Sequence, residues 1–136
     1  MPKFLAEFFP NVANYWDIFL TALTATYQMF FIAGLITLLI GGAFGIALIV
    51  TKTDGIKSNR VIHFILEVIT NVFRAVPFII LLIFLIPLTR SIAGTSIGVK
   101  GAIVPLVFGA VPFYTRQVET ALADVNPGKI EAARSM

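Results

Sequence analysis

Seven acidic residues, one histidine and no cysteine give this 136-residue chain few groups able to do acid–base or metal chemistry. Among them, two local pairs stand out. His63 and Glu67 are four apart, Arg116 and Glu119 three apart, and on a helix each pair shares a face. A histidine beside a carboxylate can pass a proton; it can equally make a plain solvated contact at a membrane interface. The lack of cysteine excludes a disulfide framework, iron–sulfur ligation and thiolate zinc sites, and one histidine leaves no HExxH pair. No glycine-rich phosphate loop of the P-loop kind is present. The residues therefore predict no catalytic constellation and no metal site.

The elements that position these pairs are set by composition. The chain is 58% hydrophobic and only 12% charged, with a mean hydropathy of +0.95. Soluble domains are about 45–50% apolar and about 25% charged, so this is an all-α integral membrane protein. The net charge of +3 does not mark a nucleic-acid binder, because the basic residues flank apolar stretches instead of forming a patch. No cleaved signal peptide is expected, since the first apolar run starts after Asp17 and is too long for one.

Three spans are expected, over residues 18–50, 61–88 and 99–123. No charge interrupts Ile18 to Thr51. As a helix that stretch is about 51 Å long, against a hydrocarbon core of about 30 Å. Its threonine-rich start is expected to lie outside the core, with Tyr15, Trp16 and Tyr27 suited to the headgroup region. Gly41 and Gly45 form a GxxxG pair that lets another helix approach closely. Ala75 to Leu88 carries no polar side chain but is too short to cross alone, so it must recruit the amphipathic stretch from Val61 to Phe73. Arg74 then sits near an interface, and Pro77 and Pro87 bracket the apolar block. The third span, from Lys100 past Arg116, holds Pro105 and Pro112 seven apart on one face, making it a candidate for bending.

Lys3, Arg90 and Lys100 fall on one side of these spans; Lys52, Lys57, Arg60, Arg116, Lys129 and Arg134 fall on the other. The richer side is cytoplasmic by the positive-inside bias, which puts the N-terminus outside and residue 136 inside. The segment 124–136 then follows the last span into the cytoplasm. Asn126 as N-cap and Pro127 at the first position open a helix there, with Ile130, Ala133 and Met136 on a small apolar face. Read from its residues alone, that helix either lies along the lipid surface or docks a partner.

Glu131-Ala132-Ala133 resembles the EAA motif of permease subunits in bacterial ABC importers. The runs Phe73-Arg-Ala-Val-Pro-Phe-Ile-Ile-Leu-Leu82, Gly94-Thr-Ser-Ile-Gly98, Ala102-Ile-Val-Pro-Leu106 and Val118-Glu-Thr-Ala-Leu122, in this order, are similar to the permeases of methionine importers. The resemblance implies a five-helix permease fold of which this sequence covers the N-terminal part, the motif continuing with a glycine just past Met136. It implies a homodimer of permeases in the bacterial inner membrane, two ATP-binding subunits below it, and a methionine-binding protein outside. ATP and magnesium then belong to the partner ATPase, and this chain needs no cofactor and no nucleic acid. The cargo is methionine of either hand, moved by alternating access. Ile130, Glu131, Ala132, Ala133 and Met136 couple to the ATPase: small alanines admit close backbone approach, Glu131 meets a basic residue, and Ile130 and Met136 give apolar contact. Pro77, Pro105 and Pro112 are the candidate hinges of the translocation path. A permease for another amino acid, or a small stand-alone channel or helper protein, are the other readings of the same residues.

Overall fold

A computed structural model gives the architecture and describes residues 9–125 and 127–136. Lys3 and the expected N-cap Asn126 lie outside the described residues. Among the described residues the chain is helical throughout: α1 (Pro10–Asn14), α2 (Trp16–Thr51), α3 (Arg60–Ala75), α4 (Phe78–Phe84), α5 (Ile86–Ala93), α6 (Gly98–Ala123) and α7 (Pro127–Ser135). Both α2 and α6 are long and apolar enough to cross a membrane.

The core of the fold is the seam between α2 and α6. Gly41 lies against Val111 and Tyr114, and Gly45 against Thr115 and Val118. Residue numbers rise together along the seam, so the two helices run parallel. A Cβ placed on Gly45 would lie 2.6 Å from the Val118 Cβ and 2.8 Å from the Thr115 carbonyl oxygen. Only hydrogen fits there, because the obstacle includes backbone that cannot rotate away. The Thr115 hydroxyl, fully buried, donates to the Gly41 carbonyl oxygen at 3.3 Å and fixes the register.

Parallel neighbours impose a return. Between Thr51 and Gly98 the chain must travel from the C-terminal end of α2 back to the N-terminal end of α6. It does so in pieces. The stretch 61–88, expected as a single span, is divided among three helices, and α3 and α4 meet at 103°. Pro77 is the reason. The residue before a proline is driven out of the helical region, and Val76 is extended at φ −77°, ψ 123°. A second break falls at Leu85, two residues before Pro87, which has no N–H to give the carbonyl four residues back. Helix α5 then stops at Gly94, whose φ of 74° only glycine adopts without strain, its N–H returning to the Arg90 carbonyl at 3.0 Å. By contrast α6 runs unbroken through Pro105 and Pro112, both buried.

Helix α3 is amphipathic with its faces reversed from the soluble pattern. Thr70 is buried and His63 and Glu67 are half-buried, whereas Val61, Phe64, Ile65, Val68 and Val72 are exposed. Polar groups inside and apolar groups outside is the arrangement lipid selects. Asn59 caps this helix, its side-chain oxygen accepting from the Val61 and Ile62 amides, each at 3.1 Å.

Candidate functional site

Of the two local pairs of the sequence, Arg116 and Glu119 bond directly while His63 and Glu67 only approach, and a longer-range contact joins Arg116 to Glu67. Arg116 Nη1 donates to Glu119 Oε2 at 2.6 Å along α6. Its Nη2 reaches across to α3, donating to Glu67 Oε1 at 3.3 Å and Asn71 Oδ1 at 3.0 Å. His63 Nε2 lies 3.9 Å from Glu67 Oε2, too far for a hydrogen bond. Its Nδ1 sits 3.1 Å from the Leu48 carbonyl oxygen; a carbonyl only accepts, so Nδ1 carries the proton in that contact. One polar chain thus links the end of α2, the inner face of α3 and the end of α6. With Glu67 beyond hydrogen-bond reach of His63, the geometry favours a structural contact over proton transfer. Nothing in the spacing of residues announces the Glu67–Arg116 contact. The two residues are 49 positions apart, and the signal that bears on it is a polar face on a helix that must also meet lipid.

Beside this chain lies an apolar cavity of about 210 Å³, walled by Ile40 and Phe44 of α2, Thr70 and Phe73 of α3, and Phe108 and Pro112 of α6. Phe73 and Phe108 stack at a tilt, ring centroids 5.9 Å apart, tying α3 to α6 a second time. A larger groove toward the other end is lined by Thr26, Met29, Thr37, Phe78 and Pro105. Thr37 is buried there, and its hydroxyl has no hydrogen-bond partner among the described residues. Of the expected hinge residues, Pro77 marks the α3–α4 break, Pro105 lines the groove and Pro112 the cavity. Gly41 and Gly45 lie in the α2–α6 seam.

The residues 130–133 and 136, expected to couple to an ATPase, are brought together on and just after α7. Ile130, Glu131, Ala132, Ala133 and Met136 are all exposed. Only Asp124, Val125 and Asn126 separate this helix from the end of α6.

No protein-family model matches the chain. Individual relatives do. The chain is 47% identical over 111 residues to the D-methionine transport system permease protein MetI of Escherichia coli K12, covering 82% of the chain and 51% of that protein. The same values hold for its counterpart in Yersinia pestis. A probable D-methionine permease of Vibrio cholerae is 42% identical over 120 residues, 88% of the chain and 53% of that protein. The chain is a homologue of the methionine ABC importer permeases. Two solved structures of the MetNI methionine ABC transporter, both described as inward-facing, match with TM-scores of 0.81 and 0.83 at 46% and 44% identity. They cover 84% and 86% of this chain and 53% and 54% of theirs. The chain spans about half the length of the methionine permeases it matches.

The α2–α6 hydroxyl contact offers a modest test of the seam. Thr115→Val keeps the shape and removes the donor. Because the Gly41 carbonyl can still accept its helical partner, the loss is expected to be small, about 1 kcal/mol. Thermal unfolding in detergent should show a midpoint lowered by a few degrees with the helix content unchanged.

Proposed function

We propose that this chain is part of a transmembrane permease subunit that moves methionine into bacteria by alternating access, driven by a separate ATPase. The identity to D-methionine permeases across most of the chain, carried on the same helical arrangement, supports this reading above any single residue. Function of this kind needs no catalytic residue in the permease; ATP and magnesium bind the partner, and the permease converts the partner's closure into helix motion.

The chain crosses the inner membrane three times. Helices α2 and α6 run parallel, so an odd number of crossings lies from the start of one to the end of the other; the broken run α3–α5 is the return. The parallel seam also brings the loop after α2 and the segment after α6 to one end. Those two segments hold Lys52, Lys57, Lys129 and Arg134, with Arg60 opening α3 beside them, and the positive-inside bias supports a cytoplasmic placement of that end. Helix α7 is the coupling helix. It stands exposed at the cytoplasmic end, with Ala132 and Ala133 small enough for a close fit in an ATPase groove and Ile130 and Met136 to anchor it. A second permease copy completes the pathway, and a methionine-binding protein delivers cargo outside. Pro77, Pro105 and Pro112 let α4 and α6 change shape as the pathway alternates.

Uptake is the test. The whole protein, reconstituted with its ATPase and binding protein in liposomes, should accumulate labelled methionine only when ATP is enclosed with the ATPase. Accumulation of another amino acid in preference to methionine would reject the cargo; accumulation without ATP would reject the mechanism.

A further inference from the structure

The Glu67–Arg116–Glu119 cluster is built asymmetrically. The arm within α6 is short, 2.6 Å, and its carboxylate is the more buried of the two at 16% exposure. The arm to α3 is longer, 3.3 Å, and its carboxylate is 42% exposed. An arginine near membrane depth must always have a partner, and a lone one is costly to hold. Here Glu119 rides on the same helix as Arg116 and cannot leave it. Glu67 rides on α3, a helix joined to α4 only through the extended Val76–Pro77 break. If α3 swings away from α6, Arg116 keeps Glu119, and the half-exposed Glu67 is the group released toward water. Contact can therefore be made and broken without stranding the cation. A symmetric buried pair would not allow that.

We propose that Glu67 and Arg116 form a releasable latch between α3 and α6, with Glu119 as the standing counter-ion that keeps Arg116 satisfied when the latch is open. Asn71, on the same Nη2, is the neutral second catch. Phe73 against Phe108 is the hinge-side contact, closer to Pro77 by about one and a half turns of α3. Helix α6 leads into α7 within three residues, so the latch lies toward the α7 end of α6, in the same stretch as the Val118 contact with α2. This role rests on the permease reading above. Glu67 and Arg116 are positioning residues in it.

The chain has no cysteine, which makes a single introduced thiol a clean reporter. Thr70 is 4% exposed, on the inner face of α3 directly over the α6 cavity. Thr70→Cys is nearly isosteric, and its alkylation by a membrane-permeant maleimide reads how often α3 lifts from α6. The measurement is made on the whole protein in its assembled complex in native membranes, without nucleotide. In this background Glu67→Gln should raise the labelling rate roughly threefold or more, because the breakable arm is weakened. Glu119→Gln should leave the rate unchanged or lower it, because opening would now strand Arg116. Equal acceleration by both variants, or none by Glu67→Gln, would overturn the latch. Should Glu67→Gln fail to assemble, Glu67→Asp, which withdraws the carboxylate by one methylene, carries the same expectation. The labelling readout does not involve methionine. A failed uptake assay with the labelling pattern intact would discard the cargo and keep the latch; the reverse would discard the latch alone.

Discussion

Ala133→Trp should abolish ATP-driven uptake in the reconstituted complex. Residues 130 to 133 stand exposed on α7, so the packing of the other described helices does not depend on them. An indole at position 133 therefore leaves α2 and α6 intact and acts only on whatever receives the helix. Under the proposed docking, forcing a large ring where a methyl group fits costs about 2 kcal/mol or more, which weakens docking by more than roughly tenfold. Co-purification of the ATPase should fall with uptake, while the permease itself still reaches the membrane and unfolds at its usual temperature. Ala133→Ser, close in volume, should retain most activity. Unaltered uptake in the tryptophan variant would remove α7 from the coupling route.

The second large effect belongs to the helix seam. Gly45→Leu should prevent α2 and α6 from meeting, because even the first carbon of the new side chain would overlap Val118 and the Thr115 backbone. Repacking costs of about 1–3 kcal/mol apply when neighbouring side chains can move aside; backbone cannot, so the cost should reach or exceed the top of that range. The control is built into the same helix. Gly34 and Gly42 have open space where a Cβ would go. Gly42→Leu should be nearly silent, adding one more apolar side chain to an open position. Thermal unfolding in detergent distinguishes them: a large loss for position 45, little change for position 42. Equal losses at both would mean that the seam does not organise the fold.

These outcomes bear on how much of the fold is legible in the sequence. The end of α2 at Thr51 can be read from charge, since a lipid-facing helix stops where charged groups can reach water; α6 instead carries Lys100, Arg116 and Glu119 within its length. The small-residue pair at 41 and 45 points to a close neighbour, though not to which helix or in which direction. What the pattern hides is the return. An apolar block from Ala75 to Leu88 looks continuous with the amphipathic stretch before it, because hydropathy has no term for direction. Pro77 is visible, but a proline can bend a membrane helix slightly or turn it through a right angle, and tertiary contacts decide which. Here α4 turns to lay Phe78 over Gly109, where α6 leaves room for the ring. The Glu67–Arg116 contact is hidden for a related reason. Sequence spacing reports neighbours within a helix, so it finds His63 with Glu67 and Arg116 with Glu119; a partner on another helix leaves no periodic trace. The exposed apolar residues of α7 are legible as a small face. The proposal that they form a docking surface rests on resemblance, not on periodicity.

The proposed coupling role is a claim about where α7 sits and what it touches. A single cysteine at Ala133, in a chain that otherwise has none, can be carried through the assembled complex and treated with a short bifunctional crosslinker. The expected product joins the permease to the ATP-binding subunit, and the same thiol stays closed to a membrane-impermeant maleimide added outside intact cells. A thiol reached from outside, or one that never crosslinks to a nucleotide-binding neighbour, would contradict the coupling role directly.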